Sequence, residues 1–385
     1  MKSLKALKDK VLLTRKEMRK QPYDFMILAC VLILVCFGIV MVFSASYYMA
    51  ELENGTPYFY VKKQIVGACL GCFLMYFASR VRREVLKKSA PWVLIFCILL
   101  LLLVFVPGVG KTLNGSRRWI RLGMTFQPSE ITKFGLILFM AKKISEKPEN
   151  LKKWKTGFIY YTGVIIATCG LIIMQPNLSM CICLGTIWLA MLVAGGMPMK
   201  QLTPLVVLAG IGVIALAIFA PYRFARIAMW FNPWKDARGS GYQVIQSLYA
   251  VASGGFFGRG LGNSVQKLMF LPYRESDFIF AIIAEECGFL GCLFFIGIYC
   301  FMFYRGIMVA IKCEDLFDSL VAIGCVVSIA SQTFYNMGVA TKLLPTTGVT
   351  LPFISAGSTS LAVMMMNAGL LLNVSRHCSS KRRKE

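Results

Sequence analysis

One histidine, His377, occurs in 385 residues, and it lies in a basic C-terminal tail. A Ser-His-Asp triad is therefore out of reach, as is any multi-histidine metal site. Charge is scarce as well, with 16% charged residues against 57% hydrophobic, which excludes an ordinary soluble core with a solvated surface. Acids are scarcer than bases: 18 Asp and Glu face 42 Lys and Arg, for a net charge of +24. Alternating ten-residue strands are missing, which removes a membrane β-barrel. Most of the 14 cysteines sit inside apolar runs and the others make no framework, so no disulfide scaffold is expected. Cys69 and Cys72 have the spacing of a redox or zinc pair, but within an apolar run they read as small packing residues.

Long apolar runs are what the chain has. Lipid admits only helices or closed barrels, and a spanning helix needs about 20 apolar residues. Ten spans are expected, near 24–46, 64–79, 91–106, 129–145, 157–174, 179–197, 203–220, 278–303, 317–338 and 350–374. The fold class that follows is all-α: one polytopic membrane domain over 1–385. The segment 1–21 carries eight Lys/Arg before the first run and no clear A-x-A site follows, so that run reads as a retained span, not a signal peptide. An even span count puts both termini on one side. With 27 basic residues in inner loops and tails, 375–385 included, and 14 in outer loops, that side is expected to be the cytoplasm. The net charge then reads as loops lying on anionic membrane lipids, not as nucleic-acid binding.

Half of the outer bases, Arg223, Arg226, Lys235, Arg238, Arg259, Lys267 and Arg274, belong to one long loop at 221–277. Lys111, Arg117, Arg118 and Arg121 form a second group. Either these loops are merely solvated against phospholipid, or they form a basin for an anionic ligand. Within the long loop, Val244, Ile245, Leu248, Val251 and Ala252 recur at helical spacing up to Gly254-Gly255. That stretch is too short and polar to span, so it reads as a re-entrant or interfacial helix. Gly258-Arg259-Gly260-Leu261-Gly262 resembles a phosphate-cradling loop, but no strand precedes it and no nucleotide fold is inferred.

Chemistry concentrates in a few places. Pro128 suits a helix start, with Glu130 in the first turn and Lys133 on the same face three residues on. The two can form an ion pair that makes both charges tolerable in a membrane, and can also line a polar cavity. Asp277 immediately precedes an apolar run, so it, or Ser276, can cap the helix there; it can also act as a base. Glu285 and Glu286 lie roughly 12–14 Å further along that helix at 1.5 Å per residue, too deep to cap it. Proton relay, packing bond and substrate path remain open for them. Residues 336–360, rich in Pro, Gly and hydroxyls, make the start of the last span irregular. That suits either a kinked packing joint or a broken helix that offers N–H groups to an anion.

Taken together, GSRRWI with QPSE..K, FNPW with GYQ, QSL and SGG, DFIFAIIAEE with GFLG, and the TG..LPF.S run resemble the SEDS family, which comprises FtsW, RodA and SpoVE. The resemblance covers nearly the whole chain, and the first two strings are worded more like FtsW or SpoVE. It implies a peptidoglycan glycosyltransferase that polymerises lipid II at the outer membrane face, beside a class B penicillin-binding protein and the proteins of division or elongation. The family's essential aspartate maps to Asp277, and its carboxylate and lysine to Glu130 and Lys133. The chain departs from the family pattern in three strings: Gln175-Pro176-Asn177, Leu271-Pro272-Tyr273 and Ser355-Ala356-Gly357.

On this resemblance Asp277 takes the proton of an attacking sugar hydroxyl, while Arg117, Arg118, Arg223, Arg226 or Lys133 steadies the departing pyrophosphate. Lys267 and Ser355 join them as expected substrate-binding or cavity residues. No cofactor is evident and no dedicated metal ligands are visible; a divalent cation is compatible with the chemistry. A lipid II flippase and a non-catalytic scaffold for the penicillin-binding protein are the competing functions.

Overall fold

A computed structural model describes residues 23–113, 116–122, 124–218 and 221–381. Its helices are α1 (Phe25–Asn54), α2 (Phe59–Arg80), α3 (Arg83–Leu103), α4 (Pro128–Glu146), α5 (Tyr160–Met174) and α6 (Leu178–Ala194). They continue with α7 (Met199–Ile218), α8 (Pro221–Phe231), α9 (Tyr242–Gly254), α10 (Ile279–Lys312), α11 (Leu316–Ala340) and α12 (Ser358–Lys381). Each of the ten expected spans falls on a helix, and α9 is the expected loop helix. Among the described residues seven segments are long and apolar enough to cross a membrane, α6 and Met199–Gly212 are shorter apolar helices, and α4 carries the Glu130 and Lys133 charges. The protein is a polytopic helical membrane protein.

Local chemistry sets the helix ends. Asp24 caps α1 by accepting from the amides of Met26 (3.1 Å) and Ile27 (3.3 Å), and Asp315 caps α11 through Phe317 N (2.9 Å). Pro128 opens α4, as its fixed φ suggests. Asn177 caps α6 by accepting from Met180 N (3.4 Å). Gly67 and Gly71 let α12 lie close along α2: a Cβ on Gly67 would stand 2.6 Å from Ser358 Cα.

The chain's two described ends meet. Asp24 N donates to Ser375 Oγ (3.0 Å), and Asp24 Oδ2 pairs with Arg305 (2.6 Å), tying α1, α10 and α12 at one end of the bundle. A disulfide that the sequence reading did not anticipate, Cys313–Cys378, joins the same ends of α10 and α12 with Cα atoms 5.0 Å apart. Asp277 lies at the opposite end of α10.

The sequence reading also missed a small antiparallel sheet, β1 (Gly110–Leu113), β2 (Ser116–Leu122) and β3 (Met124–Phe126), in the order β1-β2-β3. Neighbouring residues of a strand face opposite ways. Accordingly Arg117 reaches Val106 O (2.7 Å), while Arg118 reaches Gln175 O (3.0 Å) and Pro176 O.

α10 is broken at Gly288 (φ 65°, ψ −168°), and the loop after α9 fills the gap. Arg259 N and Gly260 N donate to the carbonyls of Glu285 and Glu286 (both 3.0 Å). Phe289 N and Leu290 N donate in turn to Gly255 O (2.9 Å) and Phe256 O (3.2 Å). Irregular backbone inside a membrane protein persists only where its polar groups are met in this way. The backbone at Gly288 is in a region essentially restricted to glycine, and a Cβ there would stand 2.2 Å from Gly258 N. Gly288→Ala should therefore lose about 2–3 kcal/mol, read as a lower unfolding midpoint in detergent; native stability would mean that the loop is not seated in the break.

Candidate functional site

The turn at 271–278 carries Asp277 into α10. Tyr273, at φ 54°, bends the chain so that the amides of Ser276 (3.1 Å) and Phe278 (3.2 Å) both return to its carbonyl. The N-cap position of α10 falls on Phe278 and has no side-chain cap bond, so neither Asp277 nor Ser276 serves as a cap. Capping does not account for the aspartate.

Three consecutive carbonyls of this turn are gripped from the 336–356 region. Ala356 N donates to Glu275 O (2.8 Å), Ser355 Oγ to Ser276 O (2.6 Å) and Asn336 Nδ2 to Asp277 O (2.9 Å). The backbone is fixed while Asp277 itself is only half-buried, with its carboxylate beside Gly348. Burial is the main influence on that carboxyl and Glu275 is the next; together they push its pKa up to about 6 against the Ser276 hydrogen bond and the charges of Arg226 and Arg118. Burial likewise raises the Glu275 carboxyl.

Of the expected cations, Arg118 and Arg226 are the two whose charges bear on Asp277. Arg118 is anchored on the Gln175-Pro176 carbonyls, and the exposed Arg226 lies against Thr346 O (3.4 Å). Arg117 binds Val106 O, and the Arg223 side chain lies outside the described residues. Lys133 is fully buried and pairs with Glu130 at 2.8 Å, and Gln332 Nε2 lies 3.5 Å from the other carboxylate oxygen. This is the ion pair that makes two membrane charges tolerable; with Lys133 at 0% exposure, it does not line an open cavity.

Lys267, expected at the substrate, is instead buried against Glu286 (2.8 Å) and Ser44 Oγ (3.1 Å). Arg274, counted above among the outer cations, is also buried and donates to Ala45 O (3.3 Å) and Leu271 O (3.2 Å). Ser355 binds protein backbone, not an open cavity. Two amides ahead of α12 are taken by side chains: Leu351 N donates to Ser355 Oγ (2.8 Å) and Gly357 N to Gln64 Oε1 (3.3 Å).

Glu285 and Glu286 find their partners in the loop. Glu285 accepts from Ser264 Oγ (2.5 Å), Val265 N (3.0 Å) and Gln266 N (3.3 Å), with Arg259 at 3.5 Å. Glu286 accepts from Ser44 Oγ (2.6 Å), Lys267 Nζ and Ser264 N (3.4 Å). Sequence reasoning missed Asn336, Gln64 and Ser44. Asn336 and the 355–357 hydroxyl string stood in a motif already singled out, whereas Ser44 lies 242 residues from its carboxylate with no local signal.

Comparison with known proteins follows from this geometry. A family model described as "Cell cycle protein", that of FtsW, RodA and SpoVE, matches residues 24–380. Stage V sporulation protein E of Bacillus subtilis (strain 168) is 40% identical over 364 residues, covering 93% of this chain and 98% of its own. A probable peptidoglycan glycosyltransferase FtsW from Geobacter metallireducens is 39% identical over 354 residues, 92% of this chain and 94% of its own. A chain from a peptidoglycan synthase complex, in work on the structural coordination of polymerization and crosslinking, superposes with TM-score 0.77 at 29% identity, covering 93% of this chain and 98% of that one. The rod shape determining protein RodA of Thermus thermophilus superposes with TM-score 0.69 at 27% identity, covering 93% and 98%.

The Lys267–Glu286 pair can be tested separately from any activity. Lys267→Met leaves a buried carboxylate unpaired and should lose about 3–5 kcal/mol of stability. Adding Glu286→Gln removes the uncompensated charge and should recover much of that loss in detergent unfolding. Equal unfolding midpoints for all three proteins would show that the pair contributes nothing.

Proposed function

The chain belongs to the family of cell cycle proteins that unites FtsW, RodA and SpoVE, and from that premise we infer that it is a peptidoglycan glycosyltransferase whose base is Asp277. The observation that carries the assignment is Asp277 itself: a half-buried aspartate on a clamped backbone, with a pKa of about 6, under the charges of Arg226 and Arg118. A base works best when its pKa lies near the working pH.

The substrate proposed is lipid II at the outer membrane face. The acceptor sugar 4-hydroxyl attacks the donor's anomeric carbon and passes its proton to Asp277. The bond from that carbon to the pyrophosphate oxygen breaks, and the pyrophosphate leaves with the bonding pair. Arg118 and Arg226 face the negative charge that collects there. Pyrophosphate is a good leaving group once its charge is met, so a second protein acid is not required. Among the described residues no group of three or more His, Cys, Asp or Glu gathers to hold a metal ion. A divalent cation taking part would draw its ligands mainly from pyrophosphate and water.

The likeness to a chain of a peptidoglycan synthase complex supports a class B penicillin-binding protein as partner, with division or elongation proteins around it. The Lys/Arg balance supports cytoplasmic termini, and the Asp24–Ser375 bond holds the two ends together. Transport drew its support from Glu285 and Glu286, and both are engaged by the 264–267 turn.

Glycan formation from purified lipid II, with the partner transpeptidase present, tests the reading. Asp277→Asn should lower the rate by at least about 10²-fold; polymer at the native rate would refute the base assignment. The base must be ionised, so kcat/KM should fall as pH drops through about 6. Glu275 raises the Asp277 pKa, so Glu275→Gln should move that acid limb to lower pH. A limb that stays in place, or moves up, would separate Glu275 from the titrating group.

A further inference from the structure

The aspartate's own carbonyl is held by one side-chain amide of a membrane helix. Asn336, in α11 and 1% exposed, directs both N–H bonds of Nδ2 at carbonyls: Asp277 O at 2.9 Å and Val349 O at 2.8 Å. Two carbonyl acceptors can be served together only by the NH2 end of an amide, which fixes the orientation of the group. Its Oδ1 is buried and finds no donor among the described residues, so the side chain is placed by these two bonds alone.

The two carbonyls belong to two backbone segments that meet at the carboxylate. One is the peptide of Asp277. The other follows Gly348, which lies against the carboxylate: a Cβ there would stand 3.4 Å from Asp277 Oδ2, at ordinary contact distance. Asn336 therefore sets the spacing between the aspartate and the backbone beside it. The neighbouring grips form a graded set behind it. Ser355 Oγ donates to Ser276 O and accepts from Leu351 N (2.8 Å), while Gln64 Nε2 holds Ser355 O (3.1 Å) from α2.

We propose that Asn336 is a positioning residue for polymerisation, which fixes the place of the Asp277 carboxylate by bridging the 275–278 turn to the 348–349 backbone. The proposal rests on Asp277 being the base. Without the bridge the turn can swing, the carboxylate gains water, and its distance to the acceptor hydroxyl is no longer set. A misplacement of about 1 Å is enough to slow a reaction roughly 10²-fold.

The experiment compares native protein, Asn336→Leu, Asn336→Asp and Asp277→Asn, each with the partner transpeptidase, in lipid II polymerisation. Leu keeps the approximate volume and removes both donors; Asp sets a carboxylate against two carbonyls. Both position-336 variants should lower kcat by about 10- to 100-fold with KM within about two-fold of native. In Asn336→Leu the acid limb of kcat should move to lower pH, because the carboxylate gains water, while detergent unfolding shows folded protein. Folded Asn336→Leu with native kcat and a native acid limb, beside inactive Asp277→Asn, would overturn the positioning role and leave the base intact. So would a rate that falls only in step with the folded fraction while the limb stays in place. Active Asp277→Asn would instead overturn the base reading beneath it. Should neither position-336 variant fold, Ser355→Ala, which removes the grip on Ser276 O together with the bond from Leu351 N, is read by the same criteria: native kcat and limb count against the proposal.

Discussion

The break in α10 at Gly288 is the constraint on which the upper half of the molecule depends. An unbroken helix would close its own hydrogen bonds and offer nothing to a neighbouring segment. By leaving helical geometry for one residue, α10 frees the carbonyls of Glu285 and Glu286 and the amides of Phe289 and Leu290, and the 255–260 loop takes all four. Backbone groups near lipid are costly to leave unpaired, so this exchange is worth far more here than in water. The two carboxylates at the same level then secure the next turn through the amides of Ser264, Val265 and Gln266. Everything from α9 to Asp277 is thereby laid against α10 before that helix has begun.

Charge is distributed on the same economy. The chain has few acids, and several of those it has are buried beside a cation: Glu130 with Lys133, Glu286 with Lys267, Asp24 with Arg305. Each pair fastens separate parts of the chain or neutralises a charge inside the bundle. A buried pair adds little net stability over an apolar one, but losing one partner is severe, which makes such pairs effective at fixing register. Cations that look alike in sequence therefore divide into two kinds. Lys267 and Arg274 are structural pins beneath the loop, whereas Arg118 and Arg226 direct their charge towards Asp277.

The spans, the loop helix α9 and the aspartate could be read from the sequence, because each leaves a local trace, whereas α8 (Pro221–Phe231) fell in the segment taken for loop. Apolar runs give spans, 3.6-residue spacing gives α9, and a carboxylate at the head of an apolar run stands out. The sheet at 110–126 left only a short alternation, broken by a register shift between Lys111 and Thr112, and was taken for loop. The role of Lys267 could not be read, since its partners Ser44 and Glu286 lie 223 and 19 residues away, and nothing in the local pattern pairs them. Ser355 was picked out for the right neighbourhood but the wrong partner. A hydroxyl in a Gly-rich string suits a ligand or a backbone carbonyl equally well, and only the fold decides between them.

That decision points to a division of labour at the site. Hydrogen bonds fall on the peptide groups of Glu275, Ser276 and Asp277, while the carboxylate proposed as the base is left with Ser276 as its hydrogen-bonding neighbour. Strong donors placed on the carboxylate itself would have stabilised its charged form and weakened it as a base. Donors placed on the backbone carry no such penalty, because a carbonyl does not titrate. Position can thus be fixed without loss of proton affinity, and the elevated pKa follows from burial and Glu275, held within bounds by two arginines. An aspartate suits this scheme better than a glutamate: with one fewer rotatable bond, a clamped peptide leaves its carboxylate less freedom.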